Sequence, residues 1–456
     1  MTDEKALFAA IIANPLEDTP RLAYADWLDE QGGEPNTHRA GFIRLSIKRD
    51  AAFAALDAAD EPRNRWADQG TTDRFTAMEK RERAEWRKVL CGRKGPLRGR
   101  GSWFHFGRGF PDRTSAPADR LIAEGEALFR LTPVVELSAR DVTAENLPPL
   151  LARPWLAGVH HLSLNGRWEP VGSPPDYAAL ARGPRLPALE KLWFDRGSPT
   201  ADGAREWVAA NPFPRLRKFQ ASDVPLNDAA PVLFGSKEWG NIDEVYAYHC
   251  GLKTVGVSAV MNSRTLTRLR KLSLPSSPLA AGAVQALTGG ERWRDLEELV
   301  LYETGLSSGE VWDFSKAPPT ALMSLTVSMN RLGADAASVL AGSRLMTGLR
   351  VLDVGSNPLF DAGAIALAGS PNCANLRALR VGSCGIGPEG AKAIAASPHL
   401  AELHTLSMHS NPIGVEGAMA LAESRYLSNL KFLSLSNVRG KARKALTDRF
   451  GDAVRL

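Results

Sequence analysis

The spacing of leucines constrains this chain more than any other feature. In Leu349-Arg-Val-Leu352-Asp-Val354-Gly-Ser-Asn357, apolar residues occupy the first, fourth and sixth positions, and the same pattern returns 27 residues later at Leu376, Leu379 and Val381. It continues at Leu403, Leu406 and Met408 and at Leu430, Leu433 and Leu435. Towards the N-terminus it passes through Leu322, Leu296, Leu269, Ile242, Leu216 and Leu189 at intervals of 26 or 27 residues, then reaches Val159 and Val134 with looser spacing, twelve units in all. A chain of 456 residues exceeds what one compact core serves well, and a repeat array lengthens without enlarging its core.

Each unit has a physical reading. Apolar residues at one, four and six place alternate side chains of a short strand inward, and a residue beyond them turns the chain out of the sheet. Asparagine suits that turn because its amide can bond backbone groups left open by the bend, and it stands there as Asn330, Asn357 and Asn411, with Cys250 and Cys384 in the same register. The second half of each unit reads as helix, as in Asp361 to Ala368 and Pro388 to Ala395. Strand, asparagine-or-cysteine turn and full helix at this period resemble the ribonuclease-inhibitor-like class of leucine-rich repeats. The resemblance implies an α/β solenoid over 134–438, a horseshoe with a parallel concave sheet and convex helices. Ala442, Leu446, Phe450 and Val454 give 439–456 the spacing of a capping helix over the open end of the core.

Residues 1–50 follow another pattern. Leu7 to Ile12 reads as an amphipathic helix, Asn14 to Pro20 as a turn, Arg21 to Glu30 as a second helix stopped by Gly32-Gly33, and a third helix begins near His38. The segment Pro20-Arg-Leu-Ala-Tyr-Ala-Asp-Trp-Leu28, followed by Ala40-Gly-Phe-Ile-Arg-Leu45, resembles the bacterial repeat-companion domain, a short helical module that precedes repeat arrays. Gly41 departs from that pattern, where an acidic residue is common. The resemblance implies no catalytic activity. Arg21, Asp26 and Arg44 could be imagined as an active site; buried Tyr24, Trp27 and Leu28, with the charges pairing at the surface or locking the helices, is the better reading.

The net charge of +5 is concentrated in one stretch, where Arg87, Lys88, Arg93, Lys94, Arg98, Arg100, Arg108 and Arg113 face the single acid Asp112. This falls within 51–133, a basic connecting region expected to include a charged helix from Arg74 to Val89, a Gly-and-Arg loop from Gly92 to Gly101 and the N-terminal cap of the sheet. Trp103, Phe104, Phe106 and Phe110 lie beside these cations. One reading makes Arg98, Arg100, Trp103 and Arg108 contacts for single-stranded nucleic acid; the other makes Trp103 to Phe110 an edge strand with buried rings.

Catalytic and cofactor signatures are missing from the sequence: no Walker A loop, HExxH helix, GxSxG elbow, EF-hand loop or paired CxxC. His160 and His161 share an early strand and His404 and His409 a late one, so no convergent metal set is expected, nor any cofactor. Cys91, Cys250, Cys373 and Cys384 are too sparse for a disulfide framework. No stretch approaches a membrane span and the N-terminus lacks a signal-peptide pattern, so the expectation is a cytoplasmic protein.

Outward positions of the strands line the face that solenoids use for binding. Between Leu189 and Tyr302 they hold Trp193, Asp195, Gln220, Tyr246, Tyr248 and Tyr302, whereas later units carry Thr326, Asp353, Arg380 and Ser407. Exposed aromatics serve partner binding better than they serve packing. The expected function is therefore a non-catalytic scaffold with a protein partner on the concave face. The alternatives are a GTPase-activating regulator, by analogy with Ran GTPase-activating proteins of this repeat class, and nucleic-acid binding through residues 86–113.

Overall fold

The structure, a computed structural model, describes residues 3–58, 67–92, 94–98, 102–166, 178–197, 200–279 and 282–456. The chain divides into two compact units, 1–198 with 209–216 and 199–208 with 217–456.

The first unit opens with helices α1 (Asp3–Ala13), α2 (Thr19–Gln31), α3 (Glu34–Ala58) and α4 (Gln69–Cys91). Pro20, at the start of α2, suits the first turn of a helix, where a missing N–H costs nothing. Gly32, at φ 68°, ends it. Tyr24 and Leu28 are buried, and half-buried Trp27 stacks on Tyr24 with ring centres 5.8 Å apart. Arg21 is fully buried and donates to the carbonyls of Pro15 (2.7 Å) and Glu17 (2.6 Å), tying down the turn between α1 and α2. Arg44 reaches from α3 to Asp26 (2.6 Å) and Asp29 (2.7 Å) of α2. The charged residues of the motif thus lock helices together. A side chain at Gly41 would meet Met78 of α4 at 3.1 Å, a tight approach that glycine permits. Helix α3 runs past residue 50, where the module was expected to end, because the helix-forming Ala-Ala-Phe-Ala-Ala-Leu follows directly on the motif.

The sheet of this unit comprises β1 (Trp103–Gly107), β2 (Phe110–Pro117), β3 (Glu136–Val142), β4 (His161–Gly166) and β5 (Lys191–Asp195). The first two form an antiparallel hairpin, and β2 to β5 run parallel. The hairpin turns through Arg108 (φ 49°) and Gly109 (φ 85°), the two left-handed residues a tight hairpin favours. A Cβ at Gly109 would also lie 2.7 Å from the Ile43 backbone on α3. The sheet begins before the first expected repeat, because Thr114 and Ala116 of β2 are already buried in the manner of repeat strands.

In the second unit the parallel strands are β6 (Lys218–Ser222), β7 (Glu244–Tyr248), β8 (Lys271–Ser273), β9 (Glu298–Val300), β10 (Ser324–Thr326), β11 (Val351–Asp353), β12 (Ala378–Arg380), β13 (Thr405–Ser407), β14 (Phe432–Ser434) and β15 (Val454–Arg455). Leu272, Leu299, Leu325, Leu352, Leu379, Leu406 and Leu433 are paired in register and fully buried. The helices of successive repeats approach through glycine. Cβ atoms at Gly363, Gly390 and Gly417 would lie 3.2, 3.0 and 2.8 Å from Ala337, Ala364 and Ala391 of the preceding helices. The helix Gly440–Phe450 buries Ala442 and Leu446, and β15 then pairs with β14, a closing strand the helical spacing did not reveal.

The turn residue does more than bond its own bend. Asn357 is buried; its Oδ1 accepts the N–H groups of Asn330 and Leu332 (both 3.1 Å), and its Nδ2 donates to Val327 (3.0 Å) and Val354 (2.9 Å). Asn330 and Asn411 do the same for the repeats before them. Cys384 holds the same register, but its thiol donates to Val354 (3.3 Å) and offers no carbonyl-like acceptor to the Asn357 turn. That turn folds on itself instead: Leu359 N–H bonds the Asn357 carbonyl (2.8 Å), Phe360 N–H bonds Cys384 (2.9 Å), and Phe360 takes φ 53° where Gly414 stands one repeat pair later.

Two predictions arise from these contacts. Asn357→Ala strands buried donors and acceptors in two repeats and should lower unfolding free energy by roughly 3 to 5 kcal/mol in urea denaturation. Asp112 of β2 is buried, its Oδ1 lacks a hydrogen-bond partner, and burial pushes its pKa up to about 6 against the pull of Arg113. A carboxyl whose pKa is raised on folding holds its proton better in the folded state, so its contribution is present at low pH and is lost as pH rises from about 4 to 6. Asp112→Asn should flatten that stretch of the stability–pH curve and raise stability at pH 7 by up to about 3 kcal/mol, read by thermal melts across pH.

Candidate protein-binding face

Strand alternation sets this face: in each strand the residues flanking the buried leucine or its equivalent point away from the helices. On the first unit, Trp193 of β5 is half-buried in register with Ser163 of β4, and Ser163 with Ser138 of β3. Asp195 stands in the same strand and pairs with Arg196 at 2.8 Å. Beside them Glu136 pairs with His161 (3.6 Å), and that contact holds its carboxyl below the usual range.

On the second unit, Gln220 of β6 donates to Glu244 of β7 at 2.9 Å. Tyr246 is half-buried, in register with Gln220 and Ser273, and burial raises its hydroxyl pKa. Tyr248 is exposed and its ring lies 6.3 Å from that of His249, which bonds Asp223 at 2.6 Å. Tyr302 follows β9, and its hydroxyl reaches Met329 Sδ at 2.5 Å. The expected residues therefore fall into two groups. Trp193 and Asp195 belong to the first unit, and Gln220, Tyr246, Tyr248 and Tyr302 to the second. The smaller or isolated Thr326, Asp353, Arg380 and Ser407, none of them aromatic, occupy β10 to β13 at the matching position.

Sequence reading missed the charge order across this face. Lys218 pairs with Glu244 and Lys271 with Glu298, both at 2.9 Å, while Arg217 pairs with Asp243 (2.5 Å) and Arg270 with Glu297 (3.5 Å). The partners lie 26 or 27 residues apart, so only the strand register brings them together. Such half-exposed pairs are individually weak, yet their alternation keeps like charges from facing each other on adjacent strands.

The basic connecting segment takes the strand reading. Phe104, Phe106 and Phe110 are buried and only Trp103 among the four rings is exposed, in edge contact with His105 at 4.9 Å. Arg98 pairs with Glu124 and Arg108 with Asp18, both at 3.0 Å, while Arg100 lies outside the described residues. Phe104, Phe106 and Phe110 lie in the core and cannot stack on bases, while Trp103 stays at the surface. Among the described residues, no group of three or more metal-ligating side chains converges and no helix is long and apolar enough to cross a membrane.

With buried leucine strands in parallel register, helices on one side and an asparagine turn, the chain is an α/β leucine-rich-repeat solenoid behind a helical N-terminal segment. Residues 347–368, 372–395 and 399–422 match the Leucine Rich repeat family, in the frame of Leu349, Leu376 and Leu403. The fold is similar to that of an internalin from Listeria monocytogenes, at 13% identity and a TM-score of 0.38, covering 72% of this chain and 87% of the internalin. It is also similar to the yeast Rad7 and Elc1 complex structure, at 17% identity and a TM-score of 0.47, covering 74% of this chain and 86% of that one. No curated protein matches the chain in sequence.

The thiols give a check on the repeat interior. Burial pushes Cys250 up to about 12 and Cys373 and Cys384 up to about 11, whereas Cys91 is only half-buried. Iodoacetamide at pH 8 should modify Cys91 alone in the native protein and reach the other three only in denaturant, read by intact mass.

Proposed function

We propose that this protein is a non-catalytic interaction scaffold that takes a protein partner on the helix-free face of its repeats. The observation that carries this reading is the set of tyrosines on the second unit. Tyr246 and Tyr248 point outward from one strand and Tyr302 from beyond β9, where inward packing does not require them. Tyrosine offers large contact area at low entropic cost and is a favoured anchor of protein interfaces. Trp193 and Asp195 supply an aromatic and an acidic contact on the first unit. Helices of 7 to 11 residues after β7 to β14 fit the ribonuclease-inhibitor-like class, and the arginine-locked helices at the N-terminus fit a bacterial repeat-companion module followed by a connecting segment, the repeat array and a cap. Four free cysteines suit a reducing, cytoplasmic setting.

The test is affinity capture from extract of the native cell by the immobilised full chain, with bound proteins identified by mass spectrometry. Tyr246→Ala with Tyr302→Ala should fold as the parent does and lose the captured partner by tenfold or more, about 1.4 kcal/mol or greater. Equal capture by the parent and the double variant would overturn the assignment of the tyrosine face.

A further inference from the structure

The second position of each repeat, just ahead of the strand, forms a continuous row on the second unit. Each residue there donates its backbone N–H to the carbonyl of its counterpart one repeat earlier: Arg350 to Met323, Arg377 to Arg350, His404 to Arg377 and Lys431 to His404, all at 2.8 Å. Ahead of β6 to β9 this row alternates in sign as Arg217, Asp243, Arg270 and Glu297, with an ion pair at each acid. Ahead of β11 to β14 it does not. Arg350, Arg377, His404 and Lys431 occupy four successive repeats with no acid among them.

Arg350 and Arg377 are exposed, and neither forms an ion pair with a described residue. Arg380 of β12 adds a further exposed cation on the outward face. The acids nearby are few: Asp353 accepts the N–H of Gly355 at 3.0 Å, and Glu402, just before β13, is exposed. Adjacent strands are about 4.8 Å apart, so Arg350 and Arg377 stand side by side as like charges, an arrangement that disfavours folding. The first half of the same unit shows how an alternating row avoids that repulsion. Arg350 and Arg377, with Arg380 beside them, are complementary to negative charge supplied from outside.

We propose that Arg350, Arg377 and Arg380 form a docking stripe for an acidic segment of a protein partner. Its neighbours decide the class of polyanion. Single-stranded nucleic acid is held by cations together with aromatic platforms on which bases stack. The outward positions next to this row are Val351, Ala378, Thr405 and Phe432, three of them small or aliphatic. Carboxylate side chains need only the cations. The proposal stands apart from the tyrosine face, since none of its residues belongs to that group.

The experiment is fluorescence anisotropy of the full chain with fluorescein-labelled deca-glutamate, and separately with a labelled ten-nucleotide oligouridylate, at low and at physiological salt. The expected result is deca-glutamate binding that weakens with salt and falls about tenfold or more in Arg350→Glu with Arg377→Glu. Lys441→Glu, on the exposed cap helix, should leave it unchanged, and Tyr246→Ala with Tyr302→Ala should also leave it unchanged. Arg350→Gln with Arg377→Gln removes the charges without reversing them and should show a smaller loss; thermal melts establish that each variant is folded. Absence of deca-glutamate binding, equal binding by the folded Arg350/Arg377 variants, or tighter binding of oligouridylate would overturn the proposal.

Discussion

The structure depends on how a turn between two repeats satisfies its buried backbone. A strand that ends inside a packed array leaves N–H and C=O groups with no water to receive them, and an unpaired buried group is costly. Asn330, Asn357 and Asn411 solve this with one side chain each, accepting from the repeat before and donating to carbonyls on both sides. The leucine core supplies the larger share of the driving force, but it is non-directional. The amide fixes the register at which leucines, glycine-bearing helices and strands all coincide.

This explains why the turn tolerates some substitutions and reshapes around others. Where Ser277 stands in the register, its hydroxyl accepts from Cys250 N–H (3.2 Å) and donates to Ala247 (3.1 Å), a partial version of the amide. Where Cys384 stands, the sulfur is a weaker acceptor than an amide oxygen, and the preceding turn closes through its own carbonyl with Phe360 in the left-handed region. The bulky residue there is strained by about 1 to 2 kcal/mol, which the surrounding repeat contacts must offset.

Much of the architecture was legible in the sequence because the hydrophobic period is strict: Val134, Val159 and the later leucines are all buried as the frame requires. The hairpin ahead of the repeats was only half legible, since Trp103 to Phe110 offers rings that suit either a core or a stacking surface, and burial by α3 decides between them. Arg21 was expected to pair at the surface or to lock the helices; its burial in the first turn depends on the carbonyls of Pro15 and Glu17 pointing inward, which no side-chain pattern announces. Outward tyrosines could be read from alternation alone. The ion-pair rows could not, because each pair joins residues a full repeat apart and becomes a pair only once the register is known.

The asparagine arrangement also has a direction. Each of these amides completes the turn of the repeat that precedes it, so those repeats are finished by their successors, and β14 pairs with β15 along its edge. A chain emerging from synthesis in N-to-C order would carry one unfinished turn at its growing end, closed when the next 27 or so residues arrive. Assembly of these repeats is then vectorial, each asparagine-closed turn waiting on the repeat that follows it.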